Sequence, residues 1–148
     1  MRFISWNCRG VRNSRFRRSC KDLLRQQQPD VMCFLETKTS SDISSMRFMP
    51  SLGFDKNYQV PAAGFAGGLW VFWKSNKINL EVVFSTSQLV NCSFLQNNKL
   101  VFITFVYVQP NPRHKDMFWK DLNNISVVIS SPWTVDEMFS CKCTGSLQ

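Results

Sequence analysis

The segment from Val31 to Leu35 constrains the fold of this chain more than any other feature of its sequence. It is a continuous apolar run of strand length, which is typical of a strand covered on both faces. A helical pattern from about Ser14 to Gln28 precedes it, and Pro29 ends that helix because proline cannot continue it. A short strand at about residues 2 to 8 comes first. The N-terminus is therefore predicted to form a strand, helix, strand unit.

A short helix is predicted at Ser40 to Met49, and after it the apolar residues recur at every second position, as in strands, instead of at helical spacing. Asn97-Asn98 is a plausible hairpin turn between two of the later strands. A second helix is expected at Arg113 to Ile125. Strands are expected at residues 69 to 73, 80 to 84, 89 to 95, 100 to 108 and 127 to 129, with Pro132-Trp133 continuing the last. This order predicts an α+β or layered α/β domain with a mixed sheet.

The composition fits one packed domain, since 44% of the 148 residues are hydrophobic and 14% are aromatic. No apolar run approaches the roughly 20 residues of a membrane span, and no secretory signal follows Met1. We therefore expect a soluble intracellular protein with no membrane partner. An N-terminus rich in Arg and Ser is also typical of an organelle transit peptide, and that alternative stays open.

The positive charge is concentrated at the N-terminus. Residues 1 to 25 hold eight Arg or Lys against the single Asp22, a net +7 out of +8 for the whole chain. Such a cluster favours a polyanionic partner, nucleic acid first, although a solvated helix face has the same composition. The candidate nucleic-acid-binding residues are Arg9, Arg12, Arg15, Arg17 and Arg18.

The six cysteines are an even number, but four of them lie in apolar or strand-like segments, where a thiol acts as a small hydrophobe. We therefore expect reduced thiols. Cys141 and Cys143 lack a second Cys or His pair at zinc spacing and give only a weak metal signal.

Two polar side chains close the strands of the N-terminal unit, Asn7 at the end of the first and Glu36 directly after the second. If these strands are neighbours, both side chains emerge at the same edge of the sheet. Their oxygens suit a hard cation such as Mg²⁺, which takes one or two carboxylates and keeps waters for a phosphate substrate. A capping or surface Glu is the alternative explanation.

The motifs, taken in order, resemble the endonuclease/exonuclease/phosphatase superfamily and, most closely, the endonuclease of plant LINE-type (non-LTR) retrotransposons. The likeness covers about residues 1 to 133 and leaves residues 134 to 148 as an unmatched tail, with disorder as one interpretation. The motifs that carry it are Ser-Trp-Asn-Cys-Arg-Gly at 5–10, Pro-Asp-Val at 29–31, Leu-Glu-Thr-Lys at 35–38, Ala-Gly-Gly-Leu at 66–69, Trp-Lys at 73–74, Phe-Val-Tyr-Val at 105–108 with Pro110, Phe-Trp-Lys-Asp-Leu at 118–122 and Ser-Pro-Trp at 131–133.

The resemblance implies an incomplete four-layer sandwich of the DNase I-like type, in which two stacked mixed β-sheets are flanked by helices. It also implies that Glu36 binds Mg²⁺, with Mn²⁺ as the alternative, and that Asn7 and Tyr107 are catalytic. Asn7 would orient the metal-binding carboxylate, and Tyr107 would contact the phosphate or the attacking group. Without the family likeness, Tyr107 is better explained as an aromatic on a sheet surface. The implied activity is hydrolysis of DNA phosphodiester bonds by a nuclear monomer with no evident protein partner, with RNA as the alternative substrate.

The chain departs from the family after Pro132-Trp133. The family continues into Gly-Asp-Phe-Asn, whereas this chain has Asp136 two positions early and Met138 in place of the Asn. The family's later Ser-Asp-His has no counterpart, and the one histidine, His114, is expected to be a solvated residue. We therefore expect a truncated, inactive domain. The alternatives are a non-catalytic nucleic-acid-binding remnant and a phosphatase or RNA nuclease of the same superfamily.

Overall fold

The protein forms two four-stranded sheets and two helices, which the computed structural model describes for residues 1–39, 46–63 and 67–137. A short 3-10 helix (Pro50–Leu52) lies between the second and third strands. No helix in the described ranges is long and apolar enough to cross a membrane. The elements in chain order are β1 (Phe3–Asn7), α1 (Phe16–Gln27), β2 (Val31–Leu35), β3 (Lys56–Val60), β4 (Leu69–Trp73), β5 (Glu81–Ser85), β6 (Leu89–Gln96), β7 (Lys99–Val106), α2 (Pro112–Val128) and β8 (Trp133–Glu137).

The first sheet has the order β1-β2-β4-β3 and is built on the predicted strand, helix, strand unit. β1 and β2 are parallel, and α1 connects them, as a parallel pair requires. Phe16, Cys20 and Leu24 lie one turn apart on α1 and are buried. The helix ends where Gln28 adopts a left-handed conformation and donates its backbone N–H to the Leu24 carbonyl, directly before Pro29.

The second sheet has the order β5-β6-β7-β8. Its strands are antiparallel except for β7 and β8, which are parallel and joined by α2. The predicted turn between β6 and β7 is confirmed, because Asn97 and Asn98 both have positive φ, 51° and 62°, as a two-residue hairpin needs. Asn111 caps α2 by accepting the Arg113 backbone N–H at 3.0 Å, and Pro112 occupies its first turn.

The two sheets stack face to face. The rings of Phe3 in β1 and Phe94 in β6 are 5.3 Å apart, within a core that draws on both sheets. Apolar residues of α1 pack on the outer face of the first sheet, and Phe118 and Ile125 of α2 pack against Leu89 and Val106 of the second. The layers are therefore helix, sheet, sheet and helix, and the predicted α+β sandwich is confirmed.

Three details differ from the sequence predictions. The strand expected at residues 127 to 129 was wrong, because Val127 and Val128 form the last turn of α2, where each side chain is 80% exposed. β3 was not predicted, since its polar sequence shows no apolar alternation. β8 runs to Glu137, four residues into the segment assigned to an unmatched tail, and residues 138–148 lie outside the described ranges.

Two other predictions fall partly or wholly on residues that the structure does not describe. Residues 40–45 of the helix predicted at 40–49 lie outside the described ranges, and the described residues 46–49 directly precede the 3-10 helix. Cys141 and Cys143 also lie outside the described ranges. The other four cysteines are all buried, and burial raises the pKa of the Cys92 thiol to about 12, in keeping with small hydrophobic residues.

Candidate active site

Asn7 and Glu36 lie at adjacent strand ends. Asn7 pairs with Leu35 in the parallel register of β1 and β2, so the residues that follow leave the sheet at the same edge. The Cys8 backbone N–H continues the ladder by donating to the Leu35 carbonyl at 3.1 Å. Asn7 is 7% exposed, and its Oδ1 accepts the Arg9 backbone N–H at 3.1 Å. The amide is therefore held at the edge where Glu36 emerges.

Asn7 faces the space between the two sheets. Side chains alternate along a strand, so Asn7 points to the same side as Phe3, which belongs to the core between the sheets. Tyr107 directly follows β7 in the opposite sheet, and it packs against the same core. Both residues therefore lie at the ends of strands that face each other.

The Glu36 carboxylate lies close to residues that follow strands of both sheets. It lies near enough to Tyr107 to raise the pKa of that hydroxyl, and the Lys38 ammonium lies 3.3 Å from its Oε1. Burial is the main reason why the pKa of Tyr107 is raised, and the Glu36 charge raises it further. The Glu36 side chain is 21% exposed, so a ligand can reach it. We refer to Asn7, Glu36, Lys38 and Tyr107 as the candidate site.

The backbone around the candidate site adopts unusual conformations. Arg9, Glu36 and Lys38 have φ values of 53°, 59° and 56°, in the left-handed region that side chains other than glycine rarely adopt. Such conformations persist only where the surrounding structure enforces them, and they concentrate at functional sites.

A set of backbone hydrogen bonds, which we call the clamp, enforces these conformations. On one side the Gly10 and Val11 N–H groups donate to the carbonyls of Glu36 and Thr37 at 2.8 and 3.1 Å. On the other side the Thr37 and Lys38 N–H groups donate to the carbonyls of Gly68 and Gly67 at 3.2 and 2.9 Å. The segment that carries Glu36 is therefore fixed from both neighbouring loops.

Gly68 makes this close approach possible. Its φ is +90°, and a Cβ atom there would lie 2.1 Å from Thr37 Oγ1. The Thr37 side chain is fully buried, and its hydroxyl has no hydrogen-bond partner among the described residues. No residue larger than glycine fits at position 68 without displacing the segment that carries Glu36.

The oxygen atoms of the candidate site fit a hard divalent cation in part. Asn7 offers an amide oxygen and Glu36 a carboxylate, which are ligand types that Mg²⁺ accepts alongside waters and phosphate oxygens. Within residues 1–39, 46–63 and 67–137, no three Asp, Glu, His or Cys side chains come together in a metal-binding group. Of the four residues of the candidate site, Glu36 alone carries a carboxylate.

The predicted nucleic-acid-binding arginines are all exposed, but they do not all have the same surroundings. Arg9 adjoins Asn7, whereas Arg12 and Arg15 lie between β1 and α1. The Arg17 guanidinium lies 5.5 Å from the Phe48 ring centroid, and the Lys21 ammonium lies at the same distance. Part of the charge on α1 therefore packs on an aromatic ring, which the charge pattern did not predict. Arg17 and Arg18 line an open hollow on α1 together with Ser14, Lys21, Asp22 and Arg25.

His114 and its neighbours are residues that sequence reasoning did not assign to this edge. His114 is exposed, as predicted, but its Nδ1 is hydrogen-bonded to Gln109 Oε1. The Gln109 Nε2 lies beside Gly67, 3.5 Å from the position of a Cβ there. Lys38 ends the Leu-Glu-Thr-Lys motif at 35–38, but the sequence led to no predicted role for it. Its charge, two residues after Glu36, was the available signal.

Comparison with known proteins identifies the family. The profile of the endonuclease/exonuclease/phosphatase family matches residues 4–132. The chain belongs to this family. No curated protein sequence matches the chain.

Several solved structures are similar to the chain. An AP endonuclease from Archaeoglobus fulgidus gives a TM-score of 0.68 at 14% identity, over 92% of this chain and 56% of that one. The AP endonuclease LMAP from Leishmania major gives 0.58 at 18% identity, over 91% and 54%. TDP2 from D. rerio, solved with a single-strand DNA product, gives 0.63 at 11% identity, over 92% and 60%. These likenesses establish the fold, and the chain spans little more than half the length of each structure.

Proposed function

We propose that this chain is the N-terminal part of a Mg²⁺-dependent endonuclease domain of LINE-type retrotransposon origin, whose ancestral reaction is hydrolysis of DNA phosphodiester bonds. The observation that carries the proposal is the meeting of Asn7 and Glu36 at one edge of the first sheet, with Tyr107 packed on the core between the sheets. By resemblance these residues lie in motifs of the family, and the order of the motifs supports the retrotransposon origin. The proposed domain comprises residues 1–133 and acts as a monomer in the nucleus, where its DNA substrate would be.

Asn7 and Glu36 are the residues that would hold the cation. Mg²⁺, or Mn²⁺ in its place, would polarise a phosphoryl oxygen and stabilise the charge that develops on it. Tyr107 would keep its proton at neutral pH, since its ordinary pKa of 10.0 is raised further by burial, and so could donate a hydrogen bond to a phosphate oxygen. Lys38 adds a positive charge beside Glu36, which favours an anionic substrate.

The basic segment would guide DNA to the candidate site. Arg9 lies next to Asn7, and Arg12 and Arg15 continue from it toward α1. Each phosphate that these residues neutralise would release condensed counterions and add salt-dependent affinity. Single-stranded DNA or RNA would meet the same charges, so base identity plays no part in this step.

We propose further that the 148-residue chain does not cleave DNA by itself. A single carboxylate binds Mg²⁺ weakly, because Mg²⁺ gives up its waters reluctantly. The sequence around Asp136 also departs from the family motif that would orient a nucleophilic water. Losses among residues that act as a unit are not made up by those that remain.

A nicking assay tests this proposal. Purified chain is incubated with supercoiled plasmid and Mg²⁺, in parallel with Glu36→Ala and with a chelator. We expect no nicking above background in any of the three. Nicking that requires Mg²⁺ and disappears in Glu36→Ala would show that the chain is an active endonuclease.

A second candidate function is nucleic-acid binding without a metal. The observation that favours it is the pairing of Glu36 with Lys38, which already balances the only carboxylate of the candidate site. The two functions differ in one measurement, the effect of Glu36→Gln on the affinity for DNA with and without Mg²⁺. A binding module would show no effect of Mg²⁺ that depends on Glu36.

A further inference from the structure

Gln88 is a buried polar residue directly before β6, and it was not among the candidate residues. It is 3% exposed, and both polar atoms of its side-chain amide are hydrogen-bonded. Its Oε1 accepts the Gln109 backbone N–H at 3.1 Å, and its Nε2 donates to the His114 carbonyl at 2.7 Å. Its own carbonyl accepts the Tyr107 backbone N–H at 2.8 Å.

These three hydrogen bonds converge on the chain between β7 and α2. Tyr107 and Gln109 are held on one side, and the first turn of α2 is held at His114. Gln109 in turn lies beside Gly67, which belongs to the clamp around Glu36. One buried residue therefore connects three places: its backbone carbonyl holds Tyr107, and its side-chain amide holds the start of α2 and Gln109, which lies beside the loop that fixes Glu36.

We propose that Gln88 is the positioning residue for the second-sheet half of the candidate site, and that it sets where the Tyr107 hydroxyl stands relative to Glu36. The inference rests on the proposed function, since it assigns Gln88 a role through Tyr107. Gln88 does not itself touch the substrate. The Gln88 backbone carbonyl holds Tyr107 itself, and the Gln88 side-chain amide restrains the chain two residues further on, at Gln109.

Asn91 provides a matched control. It is also a polar residue, 3% exposed, and it lies in β6 three positions after Gln88. Its Oδ1 accepts the Thr104 hydroxyl at 2.9 Å, within the sheet and away from Tyr107. Loss of either amide removes buried hydrogen bonding and so lowers stability. Only Gln88 is bonded to the segment that carries Tyr107.

The experiment uses the ring signal of Tyr107 in NMR spectra of protein labelled with isotope-enriched tyrosine. The chain has two tyrosines, so Tyr58→Phe leaves Tyr107 as the only one. In that background we expect Gln88→Met to move the Tyr107 signal toward that of free tyrosine and to abolish its response to Glu36→Gln. Asn91→Leu, which also removes a buried amide from β6, should leave the signal and its response unchanged.

An unchanged Tyr107 signal in folded Gln88→Met overturns the proposal, and so does an equal displacement in Asn91→Leu. If Gln88→Met does not fold, Gln88→Asn replaces it, because the same amide on a shorter side chain cannot reach both Gln109 and His114. Displacement in Gln88→Asn supports the proposal, and an unchanged signal overturns it. The response to Mn²⁺, measured in the Tyr58→Phe protein with Gln88 intact, reports separately on the proposed function.

Discussion

Replacement of Gly68 by alanine tests the geometry of the candidate site most severely. Two costs add at this position. The residue has a φ of +90°, and a left-handed conformation costs a residue with a Cβ about 1 to 2 kcal/mol. The new Cβ would also stand 2.1 Å from Thr37 Oγ1, in a buried and β-branched side chain that cannot turn away freely. Overpacking of this kind costs about 1 to 3 kcal/mol.

We therefore expect Gly68→Ala to lower the free energy of unfolding by about 2 to 5 kcal/mol, a large part of the roughly 5 to 15 kcal/mol that stabilises a typical domain. Gly67→Ala is the matched control. Its φ of +75° carries the same conformational cost, but the nearest atom to its Cβ, Gln109 Nε2, is at an ordinary 3.5 Å. It should cost about 1 to 2 kcal/mol. Urea unfolding measures both values.

A double-mutant cycle with Thr37→Ala separates the two costs, because it removes the hydroxyl that the new Cβ meets. In that background the cost of Gly68→Ala should fall toward the conformational part, about 1 to 2 kcal/mol, because the remaining neighbours of the new Cβ, Ala62 Cβ and Lys38 N, are at 3.3 and 3.4 Å. Equal costs for Gly67→Ala and Gly68→Ala, with no coupling to Thr37, would refute the reasoning that the fit of Gly68 against Thr37 fixes the segment that carries Glu36.

Two further predictions concern charge. In the Tyr58→Phe background, Glu36→Gln should lower the pKa of Tyr107, measured by the absorbance of tyrosinate in chelator-treated buffer, because it removes a negative charge that raises this pKa. Because the pKa of Tyr107 is raised in the folded protein, the stability that Tyr107 contributes is lost as the pH rises above its ordinary pKa of 10.0. A Tyr107 pKa that is unchanged in Glu36→Gln would contradict the proximity of Glu36 to Tyr107. Replacement of the basic cluster by Gln should weaken duplex DNA binding and reduce the slope of log K against log salt by roughly 0.9 for each phosphate that is no longer neutralised. An affinity that does not depend on salt concentration would count against DNA binding. The residues replaced are Arg15, Arg17 and Arg18.

The first sheet was predictable because its signals are local. The apolar run at Val31–Leu35 and the proline before it predict β2 and the end of α1. Parallel strands joined by a helix end at the same edge, so the placement of Asn7 beside Glu36 followed from the order of these elements. Asn97-Asn98 predicted the hairpin for a similar reason, since its residues tolerate positive φ.

The contacts across the two sheets were not predictable from the residues alone. Tyr107 lies near Glu36 only because the sheets stack with β1 and β7 ending at the same edge, which no local pattern specifies. Gln88 likewise bonds to Gln109 and His114, which lie 21 and 26 residues further along the chain. Two segments show the limit of hydrophobic periodicity. The edge strand β3 has a polar sequence without apolar alternation, and Val127 and Val128 are apolar but exposed at the end of α2.

The central claim, that Asn7 and Glu36 hold a divalent cation beside Tyr107, is tested most directly with paramagnetic Mn²⁺. The Tyr58→Phe protein is titrated with Mn²⁺ while the Tyr107 ring signal is followed. The account predicts that Mn²⁺ selectively broadens this signal, that excess Mg²⁺ restores it, and that Glu36→Gln abolishes the effect. A Tyr107 signal that stays sharp in Mn²⁺, or one that broadens equally in Glu36→Gln, would contradict it.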